Sequence, residues 1–103
     1  MPITGERYAF TKENVDRAPA ERGVYALYDG STLIYYGRAA GDYVTVRSRL
    51  QSHHSGREGA CTQGAATYRR EVTTRPVARE KELLDEYKSA NGGRLPRCNE
   101  QSA

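Results

Sequence analysis

With 103 residues and a formal charge of +3, the chain has room for one domain with one small core. It has no run of about 18 apolar residues, so no membrane helix is expected. The opening MPITGERYAF lacks the apolar centre of a signal peptide, which makes a cytoplasmic protein the expectation.

Residues 1–21 read as a lead-in packed on the domain, with Tyr8, Phe10 and Val15 able to cover one side of a core. Thr11 can cap a short helix near 12–18, with Glu13 in its first turn and Pro19 ending it. Arg22 to Tyr28 reads as a strand, Asp29-Gly30 as a turn, and Leu33 to Tyr36 as the returning strand. A two-residue Asp29-Gly30 loop pairs Tyr25 with Ile34, whereas a three-residue loop through Ser31 pairs Tyr25 with Tyr35. Residues 37–41 read as a loop of small residues that a phosphate could approach closely.

Residues 43–54 have helical spacing. Val46 and Leu50 face the core, Arg49 and His53 share a neighbouring face four residues apart, and Arg47 turns to solvent or a nucleic-acid backbone. The glycine-rich 55–65 reads as an exposed loop and Ala66 to Thr73 as a third strand. Pro76 opens a second helix with Leu83, Leu84 and Tyr87 on its apolar face, and Gly92-Gly93 ends it. Residues 94–99 read as an extended tail and 100–103 as a frayed end.

Charge is uneven. Residues 38–81 hold nine Lys and Arg against four Asp and Glu, while the stretches on either side are slightly acidic. A basic middle suits a polyanion. Arg38, Arg47, Arg57, Arg69 and Arg70 are the candidates for contacting a nucleic-acid backbone. Cys61 and Cys98 form no Cys-x-x-Cys pair and lie in no metal-type cluster, so free thiols in a reducing compartment are expected. Glu80 stands three, four and seven residues before Leu83, Leu84 and Tyr87, on their apolar stripe. A carboxylate there is unfavourable unless an arginine, water at the stripe's edge or a metal ion offsets its desolvation. Magnesium, which keeps several waters, needs only one or two such carboxylates.

Gly23-Val24-Tyr25, Tyr35-Tyr36-Gly37, Arg49, Glu80 and Asn99 stand in the order of the GIY-YIG nuclease pattern, and together they resemble that family over residues 22–99. Leu33 to Ala39 with Arg49-Leu50, and the closing Pro96-Arg97-Cys98-Asn99, are most similar to the incision domain of bacterial excision-repair nucleases. The resemblance implies an α/β (α+β) fold, a small three-stranded antiparallel sheet flanked by helices. It also implies a metal-dependent endonuclease of low sequence specificity, using one Mg²⁺ or Mn²⁺ on Glu80. Its substrate would be DNA, with RNA an alternative, in a repair or mobile-element setting, and a protein partner or homodimer would supply selectivity.

In that reading Tyr25 positions or deprotonates the attacking water, Tyr35 bonds the water or phosphate, and Arg49 stabilises the phosphate. His53 shares the proton and Asn99 orients the tyrosines. Two positions depart from the pattern: Tyr36 replaces an aliphatic residue, and Arg38 stands where many members have Lys, which rules it out as a base. The alternative on the same fold is a catalytically silent nucleic-acid-binding module.

Overall fold

Strands β2 (Gly23–Asp29) and β3 (Thr32–Ala39) form an antiparallel hairpin, in a computed structural model that describes residues 1–101. Neither expected register is adopted. Asp29 pairs with Thr32, so the turn residues are Gly30-Ser31, with Gly30 at φ +63°. Leu27 then pairs with Tyr35 and Tyr28 with Leu33, which leaves Ile34 as one extra residue in β3. That bulge resets the alternation of side chains. It brings Tyr25 opposite Gly37 rather than Ile34 or Tyr35.

The sheet has four strands, not three, in the order β1-β4-β2-β3, and every pairing is antiparallel. β4 is Thr67–Val72, and the additional strand is β1 (Tyr8–Ala9), two residues of the lead-in paired to β4. A two-residue strand is too short to show a period of two, which is why the sequence pattern missed it. Gly37, Arg38 and Ala39 lie inside β3, so the expected small-residue loop shrinks to the residues after it.

Helices cover both faces. α1 (Lys12–Asp16) is capped by the Thr11 side chain, as expected, and packs against α2 (Val46–His54). α2 starts later than its periodicity implied because Thr45 and Ser48 form a reciprocal capping box. On this side Tyr25, Leu27, Tyr68, Val15, Val46 and Leu50 are buried together. On the other side α4 (Pro76–Ala90) lays Leu83 against Val24, Ala26, Tyr28 and Tyr36, with Leu84 and Tyr87 packed at the margin.

Two short helices replace expected irregular chain. α3 (Ala60–Gln63) lies in the glycine-rich 55–65, and α5 (Arg97–Gln101) takes up the last three residues of the expected extended tail and the first two of the expected frayed end. Ser102 and Ala103 lie outside the described residues. The two helices meet, bringing the Cα atoms of Cys61 and Cys98 to 5.7 Å, and the two residues form a disulfide. The expectation of free thiols is thus overturned. The cysteines are 37 residues apart in sequence, and only the packing of α3 on α5 brings them together. No helix among the described residues is long and apolar enough to cross a membrane.

Candidate active site

The site is built on the hairpin and closed by helices. Tyr25 is wholly buried, and its ring lies across Gly37: a Cβ at position 37 would stand 2.3 Å from the ring. Only glycine lets that ring cross β3 towards α2. There the Tyr25 hydroxyl meets His53 Nε2 at 2.8 Å. His53 is itself 1 % exposed, and its Nδ1 lies 2.8 Å from Thr62 Oγ1 of α3. A buried chain of three polar side chains, Tyr25–His53–Thr62, therefore runs from β2 through α2 to α3. The Tyr35 ring packs against His53 at 4.9 Å and Tyr25 at 6.2 Å between centroids.

Burial governs the protonation of this chain. It pushes the Tyr25 hydroxyl far above its ordinary value, Tyr35 adds to the rise, and Arg49 lying against the hydroxyl offsets only part of it. Burial raises Tyr35 as well. The nearby cation does not make Tyr25 a standing phenolate, and with no exposed surface its hydroxyl does not reach the cleft outside. For His53, burial and then Arg49 push the value down to about 4, so the ring is neutral at pH 7.

Above this chain opens a cleft of about 390 Å³, lined by Tyr35, Arg38, Ala40, Val44, Arg49 and Glu80. Glu80, on the buried stripe of α4, is 15 % exposed, and its Oε1 accepts from Arg38 at 2.7 Å. That ion pair resolves the misfit of a carboxylate on an apolar stripe. Arg49 pairs with Glu58 at 3.2 Å and holds that carboxyl below the usual carboxylate range. All the charged side chains lining the cleft are thus held by ion pairs.

Asn99 acts on the main chain. Its Oδ1 accepts from Tyr36 N–H and its Nδ2 donates to Tyr36 C=O, both at 2.9 Å. β3 is an edge strand, and Asn99 satisfies its outward groups as one residue of a further strand would. It thereby fixes the segment that carries Tyr35 and Gly37.

Of the sequence-derived candidates, Tyr35, Arg38, Arg49 and Glu80 meet in the cleft, Tyr25 and His53 are buried against the Tyr35 ring, and Asn99 holds the strand that carries it. The remaining arginines do not join them. Arg47 turns back instead of outward, its Nε donating to Ala18 C=O at 2.7 Å. Arg57 is exposed beside the outer surface of α2. Arg69 and Arg70 lie on β4, across β2 from the cleft, over the rings of Tyr28 and Tyr8. Thr62 and Glu58 were not singled out from the sequence. The available signal was adjacency: Cys61 precedes Thr62 and Cys98 precedes Asn99.

Among the described residues no group of three His, Cys, Asp or Glu side chains could hold a metal ion. The lone carboxylate facing the cleft, with Arg38 as its partner, does not fit zinc, which takes four ligands, nitrogen and sulfur among them. It does fit one hard cation that keeps most of its own water. No protein-family model matches the chain, and no curated protein matches it.

Proposed function

We propose that the chain is a metal-dependent endonuclease of the GIY-YIG type acting on DNA, built on a four-stranded antiparallel sheet flanked by helices. The observation that carries the reading is the convergence of Tyr35, Arg38, Arg49 and Glu80 on one cleft above the buried Tyr25–His53 pair. A phosphodiester has two oxygens for a guanidinium and a phosphorus that needs its charge neutralised before water can attack. Arg49 supplies the first, and Glu80 would hold one Mg²⁺ or Mn²⁺. Such an ion stabilises charge on the phosphate and on the leaving oxygen.

Arg49 lies near the Tyr25 hydroxyl and is tied to Glu58. An incoming phosphate competes with Glu58 for the guanidinium, and the turn of Arg49 towards it would open Tyr25 to the cleft. Water oxygen attacks phosphorus in line and the bond to O3′ breaks; O3′ leaves with the electron pair and takes a proton from solvent, leaving a 5′-phosphate and a 3′-hydroxyl. The water proton passes to the Tyr25 oxygen as Tyr25 hands its own proton to His53 Nε2. Neutral His53 can accept it, and at a value of about 4 it keeps it only while the extra negative charge of the transition state persists. Tyr35 bonds the water at the cleft wall. With the fixed arginines scattered over several surfaces, sequence preference is low, and a partner protein or second copy supplies selectivity. The enzyme is read as cytoplasmic.

The test is incubation with supercoiled plasmid and Mg²⁺ or Mn²⁺. Nicking is expected to stop with EDTA and to fall at least about a hundredfold in Glu80→Gln, as for loss of one transition-state charge stabiliser. Nicking that survives Glu80→Gln would overturn the reading. So would failure to cut plasmid, branched and single-stranded DNA alike.

A further inference from the structure

The disulfide joins the two short segments that carry three contacts to the site. Glu58, just before α3, pairs with Arg49; Thr62 in α3 meets His53 Nδ1; Asn99 in α5 holds the main chain of Tyr36. Cys61 is the neighbour of Thr62, and Cys98 is the neighbour of Asn99. α3 is a single turn that starts at Gly59 with no side-chain cap. A helix of that length does not hold itself together. A hollow of about 160 Å³ lies beside it, lined by Tyr35, His53, Glu58, Thr62 and both half-cystines among others. The covalent bond to α5 therefore adds, to the packing of α3 on α2, a second restraint on where the Thr62 hydroxyl stands.

That hydroxyl is the partner of the second ring nitrogen of His53. A neutral imidazole carries one N–H. For Nε2 to accept from Tyr25, the proton must sit on Nδ1 and needs an acceptor there. Thr62 Oγ1, buried and 2.8 Å away, stands where it can accept that proton.

Building on the nuclease reading, we propose that Thr62 is a positioning residue that fixes the Nδ1–H tautomer of His53, and that the Cys61–Cys98 bond keeps it in place, so that the site is competent when oxidised and slack when reduced. The reductant is a dithiol. Its thiolate attacks the sulfur of Cys61, the more exposed of the pair, and the S–S bond breaks. Cys98 leaves as a thiolate and takes a proton. The second reductant thiol then resolves the mixed disulfide, so two electrons pass to the protein and the reductant ends as its own disulfide. In a reducing cytoplasm such bonds are characteristically transient and redox-sensing.

The experiment uses the 103-residue chain in three states: oxidised, reduced with dithiothreitol, and the Cys61→Ser/Cys98→Ser double variant. Imidazole ¹⁵N shifts of His53 are recorded for each, beside plasmid nicking rates. The oxidised protein should show the Nδ1–H tautomer, and the other two states a mixture of tautomers. Reduction should lower kcat by up to about a hundredfold with KM little changed, the scale of a misplaced catalytic geometry. Thr62→Val should reproduce the reduced spectrum while still oxidised, and Thr62→Ser should restore the wild-type one. An Nε2–H tautomer in the oxidised protein would overturn the proposal, as would identical spectra in the oxidised and reduced states. If the oxidised protein cuts no DNA, the nuclease reading falls, and the His53 spectra still decide whether Thr62 and the disulfide set the tautomer.

Discussion

Val24, Ala26, Tyr28 and Tyr36 pack on Leu83 of α4 on one face of the sheet, whereas the other face closes over Tyr25, His53 and Thr62 as well as apolar side chains. The α4 face is packed mainly through apolar area, a non-directional contribution that tolerates small shifts, with Arg79 of α4 donating to Glu71 of β4 at 2.7 Å at its margin. The α2 face buries three polar groups that satisfy one another, and a buried polar group left without its partner is costly. One face can thus supply stability and the other a fixed geometry. Glu80 bridges them: it sits on the stripe of α4 yet turns its carboxylate into the cleft through Arg38.

The strongest way to separate the two is to damage the apolar face. Leu83 is fully buried against the sheet, so Leu83→Ala removes packing and leaves a cavity. The expected loss is about 2–5 kcal/mol of unfolding free energy, read by urea titration. The His53 imidazole signals should be unchanged in the fraction that remains folded. A disturbed His53 signature there would mean that the two faces are not independent.

Acid attacks the other face. His53 titrates at about 4 in the folded protein against 6.5 as a free side chain. As pH falls below 6.5 the unfolded chain takes up a proton that the folded one refuses, so stability drops through that window and levels off below about 4. The slope from this residue approaches 1.4 kcal/mol per pH unit, about 3 kcal/mol in total. Stability curves between pH 7 and 4, paired with an NMR titration of His53, check it. Protonation of the ring near pH 6.5 without loss of structure would refute the sealed environment.

The same division explains what could be read from the residues. β2, α2 and α4 are long enough to display their periods, and Thr11, Asp29-Gly30, Pro76 and Gly92-Gly93 mark ends that the chain uses. The order of Tyr25, Tyr35, Arg49, His53 and Glu80 along it was therefore enough to bring them to one region. The hairpin register was not legible, because the turn residues do not encode the bulge at Ile34, which lies within β3 beyond the turn. Nor were α3 and α5, of four and five residues: they have no internal period and are held by a bond across 37 residues. The polar chain ends at Thr62 in one of these segments, and Asn99 lies in the other. The basic stretch was misleading in a different way. Arg69 and Arg70 share a strand with Tyr68, but cation–π contacts hold them on β4, away from the cleft.

The finest probe of the polar face is a single methyl group. Gly37 is not in the left-handed region, so alanine meets no backbone strain there, and the effect is one of space alone. Its Cβ would lie 2.3 Å from Tyr25 Cζ and 2.4 Å from the hydroxyl oxygen. Tyr25 has nowhere to retreat, being fully buried with its hydroxyl on His53. Gly37→Ala should therefore reduce stability by about 1–3 kcal/mol, the range of an overpacked core. That is no more than Leu83→Ala, yet it should break the Tyr25–His53 bond that Leu83→Ala leaves intact. Nicking should disappear from Gly37→Ala protein that is still folded by circular dichroism, and the His53 ring should lose its Nε2 partner in the ¹⁵N spectrum. Were Gly37→Ala to keep both the spectrum and the activity, the ring of Tyr25 would not need to cross β3. The geometry that ties the hairpin to α2 would then carry no function.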